Sequence, residues 1–409
     1  MKSKQFPLGA THAPQRLTAP RRFRALIALA QFGFPFSIGT PPTPVGRFRA
    51  LARRSRFPER RPATRRLARL IMTLSWPFGA LFTAMRQWSQ MRARAERPHG
   101  AGVLLDMYWL ALRHSIPPPE YAIYRFNDPV RRRDVHQYVY WNDLPGLAAL
   151  RTGADNRDVQ DKDRFAAICA AHELPHVQTL AAFEGGRQTR PAIPFVPSAS
   201  LLWSKALRLK GGAGGAKWTR DGDSYRDTTG RRVPASQLVD VLRRQVCIVQ
   251  PFVNNHPDVA RMSNGALASL RIVTGMNMAG EAEYVASLLA LPHGTCTTSA
   301  GGVLCSIALE SGQIRRAALP GGELIERHPD TGLRIIGAEL PFWADSVALA
   351  QRAHAIAFAR FPFLGWDIAL TVNGAVLLET NSGWGALFHQ MLDGPLGHTA
   401  FSRLVALRV

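Results

Sequence analysis

Gly365-Trp366-Asp367-Ile368-Ala369 and Leu377-Leu378-Glu379-Thr380-Asn381 flank a Val372-Asn373-Gly374 turn, which is the pattern of a β-hairpin. Glu379 and Asn381 are two residues apart, so on a strand they share a face. Whether Asp367 joins them depends on the turn. A two-residue Asn373-Gly374 turn pairs position 367 with 380 and puts Asp367 on the opposite face. A three-residue loop, 372–374, pairs 367 with 379, and Gly374 then fills the last loop position, which favours a left-handed backbone. The three-residue loop is therefore expected. It gathers two carboxylates and an amide oxygen, an all-oxygen set suited to Mg²⁺ carrying phosphate ligands. The plainer alternative is a pair of strand-end acids in solvent. The apolar flanks and the Ser382-Gly383-Trp384-Gly385 loop weigh against it.

Cations that could meet phosphate lie upstream. The 409-residue chain carries 45 Arg but only six Lys. Apart from Lys2 and Lys4, the lysines (Lys162, Lys205, Lys210 and Lys217) fall in one window of 56 residues. Leu201–Leu209 alternates, with Leu201, Trp203, Lys205, Leu207 and Leu209 on one face, so Lys205 is expected on the apolar face of its strand. An ammonium there needs an anion, either phosphate or a structural Asp or Glu. The run Lys210-Gly211-Gly212-Ala213-Gly214-Gly215 follows, and Trp218-Thr219-Arg220 resumes strand-like chemistry. No Gly-Lys-Ser/Thr and no helix come after the glycines, which excludes a Walker A loop and a Rossmann fingerprint. A glycine loop between strands fits a lid, because backbone N–H groups can close over phosphate without Cβ clashes. Arg271 interrupts the otherwise apolar or small strand Leu267–Thr274. It can anchor a carboxylate or meet phosphate as a planar fork, and both readings stay open.

These groups need a scaffold. With 46% apolar and 20% charged residues the chain can bury a core, which excludes wholesale disorder. Cys169, Cys247, Cys296 and Cys305 lack CxxC spacing, so neither a zinc ribbon nor a disulfide framework is expected. Helices are expected at Val103–His114, in short pieces over Asp134–Ala149, from Asp161 to His172 with Asp161 as N-cap, and at Ala344–Arg360 with Asp345 as cap. Strands are expected at Val177–Ala182, Leu201–Leu209, Gln245–Val253, Leu267–Thr274, Glu283–Ala290, Val303–Leu309, Ile368–Val372 and Ala375–Thr380. Strand runs with few helices imply an α+β fold built on antiparallel sheets.

In chain order the site residues resemble the ATP-grasp superfamily, and more closely its sugar-transfer-associated family. The match rests on Asp161-Lys162-Asp163 with Phe165, Leu201–Gly215, Val249-Gln250-Pro251 and Asn255-His256-Pro257. It continues through Ser263–Leu267 with Arg271, Ala300-Gly301-Gly302, His328–Gly332, Gly365-Trp366-Asp367 and Glu379-Thr380-Asn381, covering roughly 105–395. The resemblance implies an N-terminal lid subdomain over 161–250 and a C-terminal subdomain over 251–409, gripping ATP after a helical lead-in at 102–160. Lys162 and Lys205 would contact the α- and β-phosphates. Lys210, Gly211, Gly212, Gly214 and Gly215 would form the lid. Gln250, Pro251 and Val253 would line the hinge beside adenine. Arg271 and Lys205 would serve catalysis, and Asp367, Glu379 and Asn381 would hold Mg²⁺. Many superfamily members have Glu where Gln250 stands, which leaves the ribose contact unassigned. The implied activity is an ATP- and Mg²⁺-dependent ligase that activates a carboxylate for attack by an amine or other nucleophile, in cell-surface polysaccharide or glycolipid modification. A kinase for a hydroxyl, and a nucleotide-binding scaffold, are the alternatives.

Residues 1–100 hold 20 Lys and Arg against two acids, +18 of the net +22. Residues 1–101 are expected to form a basic helical or irregular arm. Leu70–Met85 is uncharged, but Pro77 and Gly79 make it too short and too broken to favour a spanning helix. It is either an interfacial helix on anionic lipid or, the favoured reading, a helix packed on the body behind a loose tail. A chain starting near Gly102 is accordingly expected to remain folded. No nucleic-acid motif accompanies the arginines. A cytoplasmic protein, peripheral on the inner face of the membrane, is the expected location.

Overall fold

The computed structural model describes residues 33–34, 42–55, 62–94, 100–151, 153–208, 214–299 and 301–409. The described residues of the N-terminal third are mainly helical: α1 (Pro44–Arg54), α2 (Pro62–Arg94), α3 (Ala101–His114) and α4 (Pro118–Ile123), followed by short helical pieces and turns. α5 (Lys162–Ala171) starts where expected, its first turn closed by Asp161, which accepts the N–H groups of Asp163 and Arg164.

Two seven-stranded antiparallel sheets follow. The first contains β1 (Ala181–Glu184), β2 (Arg187–Arg190), β3 (Leu201–Ala206), β4 (Ala216–Asp221), β5 (Ser224–Arg226), β6 (Arg232–Pro234) and, after α6 (Ala235–Arg243), β7 (Cys247–Pro251), in the order β2-β1-β7-β3-β4-β5-β6. One face is a core of its own, with Phe183, Leu202, Trp218, Tyr225, Leu238 and Leu242 sealed under α6. Each such side chain contributes about 1.5–3 kcal/mol of burial, enough for this small layer to hold its shape.

The second sheet contains β8 (Ser269–Met276), β9 (Ala282–Leu291), β10 (Val303–Ile307), β11 (Ile314–Ala318), β12 (Leu324–Ile325), β13 (Phe363–Thr371) and β14 (Gly374–Asn381). Its order is β12-β11-β10-β9-β8-β13-β14. α7 (Trp343–Ala357) and α5 cover one face through Ile272, Leu289, Cys305, Trp366, Ile368 and Leu377. The other face meets the N-terminal helices together with α8 (Leu387–Asp393) and α9 (Ala400–Ala406). The sheets are stitched together by backbone bonds, including Lys162 N to the Leu207 carbonyl, Val177 N to the Leu377 carbonyl and His256 N to the Leu370 carbonyl.

Four expectations need correction. α2 runs unbroken through Pro77 and Gly79 for 33 residues, because Trp76, Ala80 and Ala84 pack on the body and hold the helix across the proline. The N-terminal stretch is not all loose tail: Val45, Phe48, Arg49 and Ala52 of α1 are fully buried, and Arg49 forms an ion pair of 2.9 Å with Asp143. A chain starting near Gly102 would therefore lose part of its core. Asp345 lies in the first turn of α7 but does not cap it; Phe342 is the N-cap, with a left-handed backbone. Finally, the buried face of β3 is Leu202 and Ser204, while Trp203 and Lys205 are only half-buried. Alternation alone could not tell core from cleft on a strand whose two faces are both largely apolar.

Candidate active site between the two sheets

Opposed residues on neighbouring strands point the same way. Leu288, Arg271, Asp367 and Glu379 form one such row across β9, β8, β13 and β14. The 367–379 pairing matches the sequence expectation, but by a different route. The connecting turn has two residues, since Thr371 pairs with Gly374. A bulge then intervenes, because Ile368 pairs with Leu377 and Asp367 with Glu379, leaving Leu378 unopposed. That extra residue decides the site. Without it Leu378 would face Asp367, and Glu379 would turn with Leu377 towards the apolar core under α7. Gly365 opposite Asn381 allows the chain to close here, since a Cβ at 365 would lie 2.6 Å from the Trp384 Cβ. Asn381 lies two positions beyond Glu379 on the same face.

The lysines arrive from the other side. Lys162, at the first position of α5, is held by the Asp161 cap, and Arg208 secures Asp161 in turn (Nε to Oδ2, 3.0 Å). The Lys162 Nζ stands 3.8 Å from Glu379 Oε2. Lys205 belongs to the same field: burial lowers its pKa, Glu379 and Asp367 raise it, and Lys162 lowers it. Lys162 thus forms an ion pair with Glu379, while Lys205 feels the Glu379 charge without an ion-pair contact to it.

Arg271 binds Asp367 with both arms of its fork, Nε to Oδ1 and Nη2 to Oδ2 at 2.7 Å each. Of its two sequence roles, the carboxylate anchor is the one seen. Burial pushes the Asp367 carboxyl above its ordinary range, Arg271 opposes this, and Glu379 adds to the rise. Burial also acts on Glu379, but Lys205, Lys162 and Arg271 outweigh it and hold Glu379 below the usual carboxylate range. The two carboxyl groups are close enough to share a hydrogen bond, and of the two Asp367 holds a proton more readily than Glu379. Such a pair fits a divalent cation. Each carboxylate oxygen keeps a second lone pair after Arg271 is satisfied, and a divalent ion between the two groups would offset their mutual repulsion.

On the hinge, Gln250 is buried and donates its amide to the Val177 carbonyl at 3.1 Å. Pro251 and Val253 follow at the cleft edge, half-buried. Trp203 meets Phe252 edge-on with centroids 6.3 Å apart, and Lys217 Nζ lies 4.4 Å over the Phe252 ring. His256 caps the turn at Pro257–Ala260 through Nδ1, and Asp258 pairs with Arg261, so each has a local task. Gly214, with φ +73°, and Gly215 lead into β4. Lys210, Gly211, Gly212 and Ala300 lie outside the described residues. Two residues at the site had no sequence signal. Arg151 donates to Ser382 Oγ (3.3 Å) and to Asn156, just past Asn381. His389 of α8 is pushed down to about 4 by burial and by Arg271.

A model of the family described as sugar-transfer associated ATP-grasp matches residues 151–404, well over half of the chain and every site residue named above. The chain belongs to that family. The two antiparallel sheets are its ATP-grasp fold. A search of curated proteins found no match. Solved structures similar to this ATP-grasp chain include an N5-carboxyaminoimidazole ribonucleotide synthetase in complex with ADP: 11% identity, TM-score 0.35, 60% of this chain and 52% of that one. D-alanine-D-alanine ligase from Helicobacter pylori matches at 10% identity and TM-score 0.35, over 61% of this chain and 58% of that one. L-amino acid ligase from Bacillus licheniformis matches at 10% and 0.32, over 59% and 46%. The matched part spans about half the length of these proteins.

Lys205 gives a direct check on the nucleotide site of this ATP-grasp chain. Lys205→Met is expected to weaken ATP binding about 10- to 100-fold, the worth of a hydrogen bond to a charged group. Stability should change little, because Lys162 and Arg271 still balance Glu379. Unchanged affinity in a calorimetric titration would remove Lys205 from the nucleotide site.

Proposed function

We propose that this protein is an ATP- and Mg²⁺-dependent ligase that activates a substrate carboxylate as an acylphosphate, which an amine or other nucleophile then attacks. The observation carrying this reading is the pairing of buried Asp367 with half-buried Glu379, joined across one bulge and set in the field of Lys162, Lys205 and Arg271. Lys162 and Lys205, on the lid side, bind and orient the phosphate chain of ATP. Asp367, Glu379 and Asn381 would hold the metal, which when bound would neutralise phosphate charge. Arg271 fixes Asp367, so the carboxylate needs no rearrangement as charge moves; that preorganisation favours the transition state. The cleft between the sheets limits the water that could intercept an acylphosphate.

The transfer moves the γ-phosphoryl group from ATP to a carboxylate oxygen: a P–O bond to the carboxylate forms, the bond to the β,γ-bridging oxygen breaks, and ADP leaves. Attack by the nucleophile then breaks the acyl C–O bond and releases inorganic phosphate. No side-chain nucleophile is required. The family's association with sugar transfer supports an acceptor or donor among surface polysaccharides or glycolipids. The test is product analysis with amino and sugar acids as carboxylate donors. The expected products are ADP, free phosphate and a condensed product in equal amounts. A phosphorylated acceptor without phosphate release would mean a kinase, and nucleotide binding without turnover would mean a scaffold.

A further inference from the structure

We propose that the outer face of α2 is a docking surface for an anionic lipid bilayer, on which the helix lies flat. This does not rest on the ATP chemistry. Leu67, Leu70, Leu74, Phe78, Phe82 and Met85 are each more than half exposed, with Phe78 at 77%. At about 100° per residue they occupy one stripe, about 120° wide and about 27 Å long. The buried ridge of the same helix, Ala68, Met72, Trp76, Ala80 and Ala84, is centred on the opposite side. A soluble helix turns its polar face outwards; this one turns out its largest apolar side chains.

The charge pattern selects the occupant. α2 contains six arginines and no acid, and they cluster at its two ends: Arg65, Arg66 and Arg69 around the start of the stripe, Arg86, Arg92 and Arg94 after it. At about 100° per residue Arg66, Arg86 and Arg92 flank or share the stripe, while the other three lie on the side of the inner ridge. Cationic ends around an apolar middle match acyl chains beneath anionic headgroups. A second copy fits worse, because either orientation of two such helices brings arginines against arginines with no acid between them. Trp88 stands near the C-terminal end of the stripe with Arg92 over its ring at 4.7 Å, the kind of group that prefers a headgroup layer.

Flat binding follows from the inner ridge. The span Ala63–Ala93 is long and apolar enough to cross a membrane. Crossing, however, would strip the inner ridge from α3 and α4, including the bond of 3.0 Å from Trp76 Nε1 to the Ala111 carbonyl. Lying in the interface keeps that packing and buries only the stripe.

The experiment is sedimentation of the full-length protein with vesicles of 70% phosphatidylcholine and 30% phosphatidylserine, beside pure phosphatidylcholine, at 0.1 M and 0.5 M salt. Binding is expected to the anionic vesicles only and to fall severalfold at the higher salt, as screening shortens the reach of the arginines. Leu74→Glu with Phe78→Glu should lower partitioning at least tenfold. The milder Leu74→Ser with Phe78→Ser should lower it in the same direction, with circular dichroism confirming the fold. Equal binding by these variants and the parent protein overturns the proposal. So does failure of the parent to bind, whether it sediments alone as a monomer or as a dimer.

Discussion

Glu379→Gln is expected to reduce ADP formation by at least about 10²–10³-fold, the scale seen when a group aimed at transition-state charge is lost. The substitution keeps the volume of the side chain and removes its charge. Lys162, 3.8 Å away, then loses its ion-pair partner, Lys205 loses an anion that favours its charged form, and the proposed metal set loses one of its two carboxylates. Asp367 loses a neighbour that helps push its pKa up. A structural ion pair would respond differently. Its loss would lower stability and leave turnover per folded molecule intact. The measurement is therefore ADP release at saturating ATP across a Mg²⁺ titration, with thermal midpoints of both proteins. Loss of activity with a small shift in midpoint assigns Glu379 to chemistry. Full activity with the Mg²⁺ dependence unchanged removes it from the metal set. Asp367→Asn should lose activity similarly, and more stability, because it also breaks the bidentate bond to Arg271.

The sequence carried the residues of this site better than the geometry that unites them. The strand period placed Asn381 with Glu379, and the turn arithmetic reached the correct partner for Asp367. Yet a three-residue loop and a two-residue turn followed by a bulge yield the same pairing, and nothing in Leu377-Leu378-Glu379 shows which applies. The face of Lys205 was misread because a cleft strand is apolar on both sides: Leu202 packs in the sheet's own core, while Trp203 lines the opening. Leu70–Met85 looked broken because Pro77 removes a helical hydrogen bond. The compensation comes from Trp76, Ala80 and Ala84 meeting partners remote in sequence, which no local rule sees. Arg151 and His389 were illegible for the same reason. An arginine near Ser382 and a histidine near Arg271 carry no spacing signal, and only the fold brings them together.

Acid should destabilise the fold through histidines held neutral in its interior. His354 shows why. Its Nε2–H donates to the Phe361 carbonyl at 2.8 Å, and its Nδ1 accepts from the Thr274 hydroxyl at 2.7 Å. That hydroxyl oxygen in turn accepts the Trp366 Nε1–H at 2.8 Å, so each group in the chain has one direction in which to donate. A second proton on His354 would oppose the Thr274 proton and leave one donor buried without an acceptor. Burial holds His354 at about 4, and His389 likewise at about 4, while His114 falls to about 3. An unfolded histidine titrates near 6.5. Between these values the unfolded chain binds more protons, so stability is complete above about pH 6.5 and falls as pH drops towards the folded-state values. At pH 5 each of these histidines costs about 2 kcal/mol relative to pH 7. Asp367 and Glu120, raised above their ordinary range, act in the opposite direction over part of this window, so the net loss is smaller than the sum. His354 isolates the effect, because it lies outside the cleft. In His354→Gln the denaturation free energy should be lower at pH 7, and its decline between pH 7 and pH 5 should be shallower by about 2 kcal/mol. Parallel declines for the two proteins would mean that His354 does not remain neutral in the fold, and its Nδ1–H would then donate to the Thr274 hydroxyl oxygen instead of accepting from it.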